Sequence, residues 1–336
     1  MEKRRKILKT VLIVLAVILV LLLGALAVLY SLLGGINRLD QQPTLSQEQL
    51  NTIFGEGETV ETDPVQNQAE TIFSSKDTVN ILLVGQDRRG GKSPERTDAM
   101  ILCTINKSTK TLTMTSFMRD VWVYIPDHYN QRLNLPYMLG GFPLLNDTLE
   151  YNFGVRADYN VEIDFSGFMK AIDAVGGVDI ELTSTEAKYL NDRGNWDVEE
   201  NQHWKLKKGV NHLTGSQALA YSRIRKTDSD FKRTNRQRIV LTALLEKAKT
   251  LSATEMLSLA KEIIPLLRTD MTNAQILDLI TDLLPLLSDL EIVSQRIPID
   301  GEYGYANKNG ASVIVLNDKQ LEENIKLLGK TIGDKS

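Results

Sequence analysis

Hydrophobic and polar positions divide the chain into three unlike stretches. An uninterrupted apolar run covers residues 11–29, and no charged residue occurs from residue 10 to residue 37. A helix of about 20 apolar residues is long enough to cross a bilayer. Residues 40–75 contain seven acidic side chains, no Lys or Arg, and little periodicity, whereas strand-like and helix-like patterns begin near residue 76. The pattern predicts a membrane helix, a spacer and one folded domain.

The charges beside the apolar run predict its orientation. Five basic residues lie within the first nine positions, and such a cluster normally stays in the cytoplasm. We expect a cytoplasmic basic tip at 1–9, a transmembrane helix at 10–33, an acidic juxtamembrane spacer at 34–75 and an extracytoplasmic domain at 76–336. A cleaved signal peptide is the alternative, because residues 25–27 read Ala-Leu-Ala, which resembles a cleavage site. The run is longer than a usual signal core, which favours an uncleaved single-pass anchor.

Short apolar and alternating runs predict strands at the start of the folded domain, and strands and helices alternate after it. The predicted strands are 79–84, 99–105, 111–118, 121–125, 159–163, 178–182 and 292–297. The predicted helices are 142–151, 165–174, 234–251, 254–267, 272–287 and 318–328. This order predicts a single α/β domain with a central mixed β-sheet flanked by helices. The many Leu and Ile residues of 256–290 are typical of a core, and a slot for a lipid chain would have the same pattern.

Composition removes several classes of function. The chain has 39 Lys plus Arg and 43 Asp plus Glu, so its formal net charge is -4. This balance argues against a nucleic-acid-binding protein with a wholly basic surface. A single cysteine, Cys103, excludes an internal disulfide and a cysteine-based zinc cluster, and three His leave little for a His-rich metal site.

Strand direction predicts that two carboxylates and a guanidinium meet at one edge of the sheet. If the first three strands run up, down and up, Asp87, Asp98 and Arg119 all lie at strand ends on the same side. The loop between the first two strands adds Arg88, Arg89 and Arg96. Carboxylates hold Mg²⁺, and arginine forks bind the phosphates that accompany it. A metal-bound pyrophosphate fits this set, although strand-capping carboxylates and solvated arginines explain the spacing equally well.

The same loop resembles a P-loop without being one. Residues 85–93 read GQDRRGGKS, and the GxxxxGK[ST] pattern would need its first Gly at position 86, which is Gln. Pro94 also argues against a long helix starting at once after the Lys-Ser pair. A nucleotide hydrolase is therefore disfavoured.

A second basic group lies at residues 218–238, with seven Lys or Arg against two Asp. Arg223 and Arg225 would point to one side of an extended backbone. Arg233 and Gln237, four residues apart, would share one face of a helix. Both pairs could face one polyanion, and a solvated basic surface is the alternative.

The chain resembles the LytR-CpsA-Psr family of bacterial envelope proteins over roughly residues 78–330. The resemblance is carried by five runs in the family's order: NILLVGQDRRGGKSPERTDAMIL, SFMRDVWVYIP, LNLPYMLGG, VEIDFSGFMKAIDAVGGVDIEL and LTGSQALAYSRIRKTDSDFKRTNRQR. A final run, RIPIDGEYGY followed by ASVIV, also matches. The family's usual architecture, a basic cytoplasmic end, one membrane helix and an extracytoplasmic α/β domain, agrees with the pattern above.

The resemblance implies a phosphotransferase of cell-wall assembly. Such a protein moves an anionic glycopolymer, teichoic-acid-like or capsular, from a polyprenyl pyrophosphate carrier to peptidoglycan. It implies Mg²⁺ as cofactor, with Mn²⁺ as an alternative, a single-pass position in the bacterial cell membrane, and no nucleic-acid partner. Two other functions stay open at this point: a non-catalytic binder or regulator of lipid-linked precursors, and a polyprenyl pyrophosphate phosphatase.

The family's motifs also imply roles for individual residues. Asp87 and Asp98 match its metal-binding aspartates, and Arg119 matches an arginine that contacts pyrophosphate. The distal set that grips the same head group is matched by Arg223, Arg225, Arg233 and Gln237. Asp230 matches an acidic position that could assist as a base, and Arg88, Arg89 and Arg96 belong to the first motif. The family's common Pro-Arg-Asp is Met118-Arg119-Asp120 here, which retains the charges and loses the proline.

Overall fold

A computed structural model describes residues 34, 37–38, 69, 71–86, 97–192, 195, 204–224, 230–308 and 310–333. The predicted cytoplasmic tip, membrane helix and most of the predicted spacer lie outside these residues, as do Asp87, Arg88, Arg89, Arg96 and Arg225. Within the described part of the chain, no helix has the length and apolar character needed to cross a membrane.

Thirteen strands and eight α-helices are described. The strands are β1 (Asn37–Arg38), β2 (Thr78–Gln86), β3 (Ala99–Asn106), β4 (Thr111–Phe117), β5 (Trp122–Tyr124), β6 (Asn130–Arg132), β7 (Tyr159–Asp164), β8 (Val178–Leu182), β9 (Gly209–Leu213), β10 (Leu267–Thr269), β11 (Glu291–Ile297), β12 (Gly304–Lys308) and β13 (Ala311–Val315). The helices are α1 (Pro136–Phe153), α2 (Phe165–Ala174), α3 (Ser184–Asn191), α4 (Gly215–Ser222), α5 (Asp230–Lys249), α6 (Ala253–Ile263), α7 (Asn273–Leu283) and α8 (Asp318–Ile332). Short 3₁₀ turns follow α6 and α7.

Seven strands form the central sheet in the order β1-β10-β7-β2-β3-β4-β11. The β2–β3 and β3–β4 pairs are antiparallel, and β2–β7 and β4–β11 are parallel. The sheet is therefore mixed, and the predicted α/β class is confirmed. Three two-stranded ribbons, β5–β6, β8–β9 and β12–β13, accompany it.

Alternation along β2 assigns one core to each face of the sheet. Leu82 and Val84 are fully buried beneath α1 and α8, in a cluster that includes Phe153 and Leu328. The intervening Leu83 points to the opposite face, where α5 packs over β3 and β4. Because side chains of a strand alternate between faces, one apolar strand supplies both layers.

A third core is formed by the stretch of chain from α2 to α5. Its buried residues come mainly from α2, β8, α3, α4 and α5, with Ile180, Leu213 and Ile224 among them. Capping boxes start α3 at Thr183 and α4 at Thr214, which satisfies their first backbone N–H groups. Apart from α2, β8 and α5, the sequence pattern missed the elements of this region, because they are short and their apolar spacing is weak.

Several predicted boundaries differ from the structure; the helix predicted at 254–267, for example, ends at Ile263, and Leu267 begins β10. The helix predicted at 142–151 starts at Pro136 and bends at Gly140 and Gly141, where Gly141 has a φ of 65°. The folded part also begins before residue 76, since Phe73 is buried against Gly329 of α8. Apolar residues such as Phe73 were too isolated in the acidic segment to give a periodic signal.

Candidate active site at the sheet edge

The end of β2, the start of β3 and the end of β4 meet at one edge of the sheet, where they place Asp98 and Arg119 of the first predicted group. Gly85 near the end of β2 pairs with Ala99 at the start of β3, and the Asp98 N–H donates to the Gly85 carbonyl at 3.0 Å. Arg119 follows the end of β4, whose Ser116 pairs with Ile101 of β3. The predicted up-down-up order is confirmed, and it places Asp98 beside Arg119. Asp87 follows Gln86 at the same end of β2, outside the described residues.

Arg119 stands at the centre of an ion-pair network. Its Nη1 donates to Asp98 Oδ1 at 3.1 Å, its Nη2 lies 3.4 Å from Asp230 Oδ1, and its Nε lies 3.5 Å from Asp120 Oδ2. The side chain is 23% exposed, so part of it still reaches solvent. Three carboxylates on three segments therefore fix the position of one arginine fork.

Helix α5 brings the distal group to this centre. Asp230 is its first residue, and Arg233 one turn later places Nη2 2.8 Å from the same Asp230 Oδ1 that contacts Arg119. Arg233 is 3% exposed. The residues of two motifs more than a hundred positions apart thus share one carboxylate oxygen. Gln237, a further turn along α5, is half-buried.

Arg223 does not have the extended backbone that the sequence suggested. It is the C-cap of α4, with φ -105° and ψ 1°, and its guanidinium lies over the Phe165 ring at 4.6 Å from the centroid. Phe165 begins α2, directly after β7, so Arg223 is near the same edge of the sheet. The predicted extended backbone at Arg223 was wrong, because the capping box at Thr214 starts a helix that extends to Ser222.

The structure gives a reason for Met118, which stands where the family commonly has proline. The Met118 N–H donates to the Ile297 carbonyl at 2.9 Å and continues the pairing of β4 with β11. Proline has no N–H and could not make this bond. Met118 is fully buried, so the loop before Arg119 is held by packing and by a hydrogen bond.

Two further arginines, Arg132 and Arg238, were not predicted as site residues. Arg132 of β6 lies 3.5 Å from Asp120 Oδ1, and no sequence pattern connects the two. Arg238 is also buried, with Nε donating to Ser294 Oγ at 2.7 Å and Nη2 to Asn235 Oδ1 at 3.1 Å. Its Nη1 is buried without a hydrogen-bond partner among the described residues. A charge on the same helical stripe as apolar positions of α5 was the signal that could have identified Arg238.

The surroundings of Arg238 are unfavourable for a cation. Burial, and after it the positive charge of Arg296, lower its pKa to about 10 against the opposing effect of Asp300. It is still charged at neutral pH. A guanidinium therefore lies under the first half of α5, at the polar end of an otherwise apolar face.

Not every arginine of the basic segment belongs to this site. Arg236 is 4% exposed and donates from Nε to Glu186 Oε1 at 2.7 Å. Burial raises the pKa of Glu186, but hydrogen bonds from Arg236 and Thr183 outweigh it and hold the pKa below its usual value. Arg236 also donates to the Ile224 carbonyl at 3.3 Å. Its role is to hold α5 against α3 and α4.

The carboxylates at this edge are hard oxygen ligands of the kind that Mg²⁺ takes. Asp98 is 26% exposed, which leaves part of its carboxylate accessible. The described residues contain no group of three or more His, Cys, Asp or Glu positioned for a metal, and Asp87 lies outside them. The carboxylate chemistry of this edge fits Mg²⁺, which Asp98, together with Asp87 of the predicted set, would hold.

The chain matches known proteins over most of its length. The model of the LytR_cpsA_psr family matches residues 46–330. The polyisoprenyl-teichoic acid–peptidoglycan teichoic acid transferase TagT of Bacillus subtilis is 32% identical over 265 residues, which are 77% of this chain and 78% of TagT. The transferase TagU of Bacillus cereus, which carries the same descriptive name, is 31% identical over 69% of this chain and 72% of the TagU chain.

Solved structures show the same architecture. Crystalline B. subtilis TagT superposes with a TM-score of 0.62 at 27% identity, over 80% of this chain and 98% of TagT. TagT bound to LIIa-WTA superposes with a TM-score of 0.63 at 28% identity, over 80% of this chain and 96% of the TagT chain. TagT with bound octaprenyl pyrophosphate lipid superposes with a TM-score of 0.59 at 25% identity, over 79% of this chain and 98% of the TagT chain. The chain therefore belongs to the LytR_cpsA_psr family.

Proposed function

We propose that this protein transfers an anionic glycopolymer from a polyprenyl pyrophosphate carrier to peptidoglycan. The observation that carries the proposal is the shared position of Arg119 and Arg233 on Asp230, beside Asp98 at the sheet edge. Relatives named as teichoic acid transferases, and a TagT structure with octaprenyl pyrophosphate, support the same chemistry. The proposal names the glycopolymer only by class, as teichoic-acid-like or capsular.

The reaction exchanges one phosphorus–oxygen bond for another. A hydroxyl oxygen of the acceptor sugar attacks the phosphorus nearest the glycopolymer, and the bond from that phosphorus to the bridging oxygen breaks. The bridging oxygen leaves as part of the lipid monophosphate, and the hydroxyl proton is released to the leaving phosphate or to solvent. Phosphoryl transfer of this kind depends mainly on positioning and on stabilising spread negative charge.

The arginines supply that stabilisation. Arg119 is already fixed by three carboxylates, so little reorganisation is needed when its exposed side meets a phosphate. Arg233 is held by Asp230 at the start of α5 and, at 3% exposure, adds positive charge from a buried position. We assign the direct pyrophosphate contact to Arg119 and propose that Arg233 reinforces it through its charge. The family's motifs support the same role for Arg88, Arg89, Arg96, Arg223, Arg225 and Gln237.

Mg²⁺ is the proposed cofactor, with Asp87 and Asp98 as its protein ligands. When bound, the metal would neutralise charge on the pyrophosphate oxygens. The Asp98 carboxylate is held in place at the edge by its own backbone bond to Gly85 and by Arg119. Asp230 contacts two guanidiniums through one oxygen, so its carboxylate is engaged in holding both arginines. We infer that Asp230 positions the arginines and does not act as the base.

The face of the sheet beneath α5 is suited to the lipid chain. Leu83, Leu241 and Leu286 are only half-buried, although they pack against the buried Cys103 and Met114. Partly exposed leucines over a buried apolar layer support an apolar slot that leads away from the charged edge. The predicted helix at 10–33 would keep the domain near the membrane that holds its donor.

A direct test follows transfer of a labelled donor. The full-length protein in lipid nanodiscs is incubated with labelled lipid-linked glycopolymer, peptidoglycan and Mg²⁺, and the label is measured in the wall fraction. Label in peptidoglycan supports the proposal. Label released only into water identifies a phosphatase, and donor retained without turnover identifies a binder, and either result overturns the transferase assignment.

A further inference from the structure

Aromatic rings extend from the charge network to the protein surface. Phe231 follows Asp230 on α5, and its ring centroid lies 4.8 Å from that of Tyr303. Tyr303 in turn contacts Tyr305 edge-to-face, with centroids 5.6 Å apart. Tyr305 is 64% exposed, whereas large apolar or aromatic side chains are normally exposed only in isolation. We call Phe231, Tyr303 and Tyr305 the aromatic row.

The inner end of the row is fixed against the site. The Arg296 guanidinium lies over the Phe231 ring at 4.1 Å from its centroid. Arg296 also donates to the Pro298 carbonyl at 3.2 Å and forms an ion pair with Asp300. A cation over an aromatic face orients the ring. Phe231 therefore has little freedom, and the row has a defined direction.

The outer end is also attached to the site. Tyr305 of β12 pairs with Ile314 of β13, and the Ile314 N–H donates to the Asp120 carbonyl at 2.9 Å. Asp120 is the residue after Arg119. Each end of the aromatic row is therefore closely connected through the chain or through strand pairing to a member of the ion-pair network. The β12–β13 ribbon cannot move far from Arg119 without breaking this connection.

Polar groups lie beside the exposed ring. Asn307 is two residues after Tyr305 on the same face of β12, and Ser312 is directly opposite Asn307 on β13. Directly opposed residues of an antiparallel pair share a face. Asn307 and Ser312 are both exposed. Their amide and hydroxyl groups can both donate and accept hydrogen bonds.

We propose that the aromatic row and these two polar side chains form a saccharide-binding subsite. A pyranose ring presents an apolar face of C–H groups, which suits an exposed tyrosine ring, and an equatorial rim of hydroxyls, which suits an amide and a hydroxyl. Tyrosine offers such contact area at low conformational cost. The inference rests on the proposed function, because that reaction brings sugars to both sides of the transferred phosphorus. The glycan is either the donor's sugar or the peptidoglycan acceptor.

The experiment measures glycan binding separately from transfer. Full-length wild type, Tyr305→Ala and Tyr305→Phe in nanodiscs are titrated calorimetrically with a soluble peptidoglycan tetrasaccharide and, in a second arm, with the donor's linkage oligosaccharide. We expect Tyr305→Ala to weaken binding of at least one glycan about tenfold, equivalent to about 1.4 kcal/mol, and Tyr305→Phe to retain most of it. The arm that responds identifies the source of the sugar.

A matched control shows whether the loss of affinity is specific to the Tyr305 ring. Val210, 73% exposed on β9, provides an exposed apolar position away from the row, and Val210→Ala should bind as wild type does. Melting temperatures report whether each variant folds. Unchanged glycan affinity in both arms for folded Tyr305→Ala would overturn the inference, as would a loss confined to binding of empty lipid vesicles, which would indicate a membrane contact.

The proposed function can fail independently. If wild type binds a glycan through Tyr305 and yet transfers no label to peptidoglycan, the saccharide subsite stands and the transferase assignment fails. If transfer proceeds and Tyr305→Ala binds both glycans normally, the transferase assignment stands and the subsite fails.

Discussion

Arg119 and Arg233, from segments more than a hundred residues apart, contact the same oxygen of Asp230, at 3.4 and 2.8 Å. Like charges placed this close would repel without the carboxylate between them. The arrangement holds two guanidiniums at the sheet edge before any phosphate arrives, which is what a site for a spread anionic transition state requires.

Replacing Arg119 by Ala should lower the transfer rate about a hundredfold, corresponding to ~3 kcal/mol of lost transition-state stabilisation. The measurement is initial-rate transfer from the lipid-linked donor. Arg156→Ala is the matched control, because Arg156 is an exposed arginine paired only with Asp147 and Glu150 among the described contacts. Wild-type turnover by folded Arg119→Ala would remove Arg119 from the mechanism.

Asp230→Asn should lower kcat about tenfold, because the amide keeps the shape but contacts the two guanidiniums more weakly. The decisive readout is the pH dependence of kcat/KM. If Asp230 positions the arginines, the acidic limb of the profile keeps its midpoint in the variant. Disappearance of that limb would identify Asp230 as a general base instead.

Arg238→Met should leave the fold intact and raise the melting temperature by a few degrees. Burial and Arg296 lower the Arg238 pKa, which means that the charged side chain costs stability where it lies, and an apolar residue of similar length removes that cost. We expect the same variant to bind the lipid-linked donor more weakly, because Arg238 lies between the charged edge and the apolar face. Calorimetry of unfolding and donor KM together test this trade-off.

A lower melting temperature for Arg238→Met would show that the bonds to Ser294 and Asn235 outweigh the burial of charge. Unchanged donor affinity would show that Arg238 has no part in binding.

Glu186→Gln should destabilise the protein by about 3 kcal/mol, because it removes the carboxylate that accepts from the buried Arg236 Nε at 2.7 Å. The folded-state pKa of Glu186 is lowered, so its contribution to stability is complete above the unfolded pKa and is lost as pH falls through the folded pKa. Wild type should therefore lose stability in the acidic range more steeply than Glu186→Gln. Denaturant unfolding at neutral and acidic pH measures both slopes.

A matched exposed pair provides the comparison for Glu186. Asp289→Asn removes the partner of Lys110, a pair in which both side chains are about half exposed. Surface pairs of this kind contribute little, so this variant should unfold nearly as wild type does. Parallel acid slopes for wild type and Glu186→Gln would contradict a buried, charge-dependent role for Glu186.

The sequence by itself determined the α/β class, the strand order up, down and up, and the edge at which Asp98 and Arg119 meet. These follow from local periodicity and strand direction, which a single chain displays without any partner. It also named Asp230 and Arg233 through family motifs. The ribbon strands β6, β9, β12 and β13, the capped helix α4 and the early start of the fold were missed, because brief segments have too few residues to show a period.

Only the tertiary structure decided what each described arginine of residues 218–238 does. The arginines of the basic run carry the same charge, and little in the local sequence distinguishes one from another. In the structure, Arg233 pairs with Asp230, Arg236 pairs with Glu186 and Arg238 contacts Ser294. The partners come from different elements, and their distances depend on how α5 packs against the sheet. The same packing places Tyr303 beside Phe231 and Tyr305 beside Tyr303, a relationship across some seventy residues that no local pattern contains.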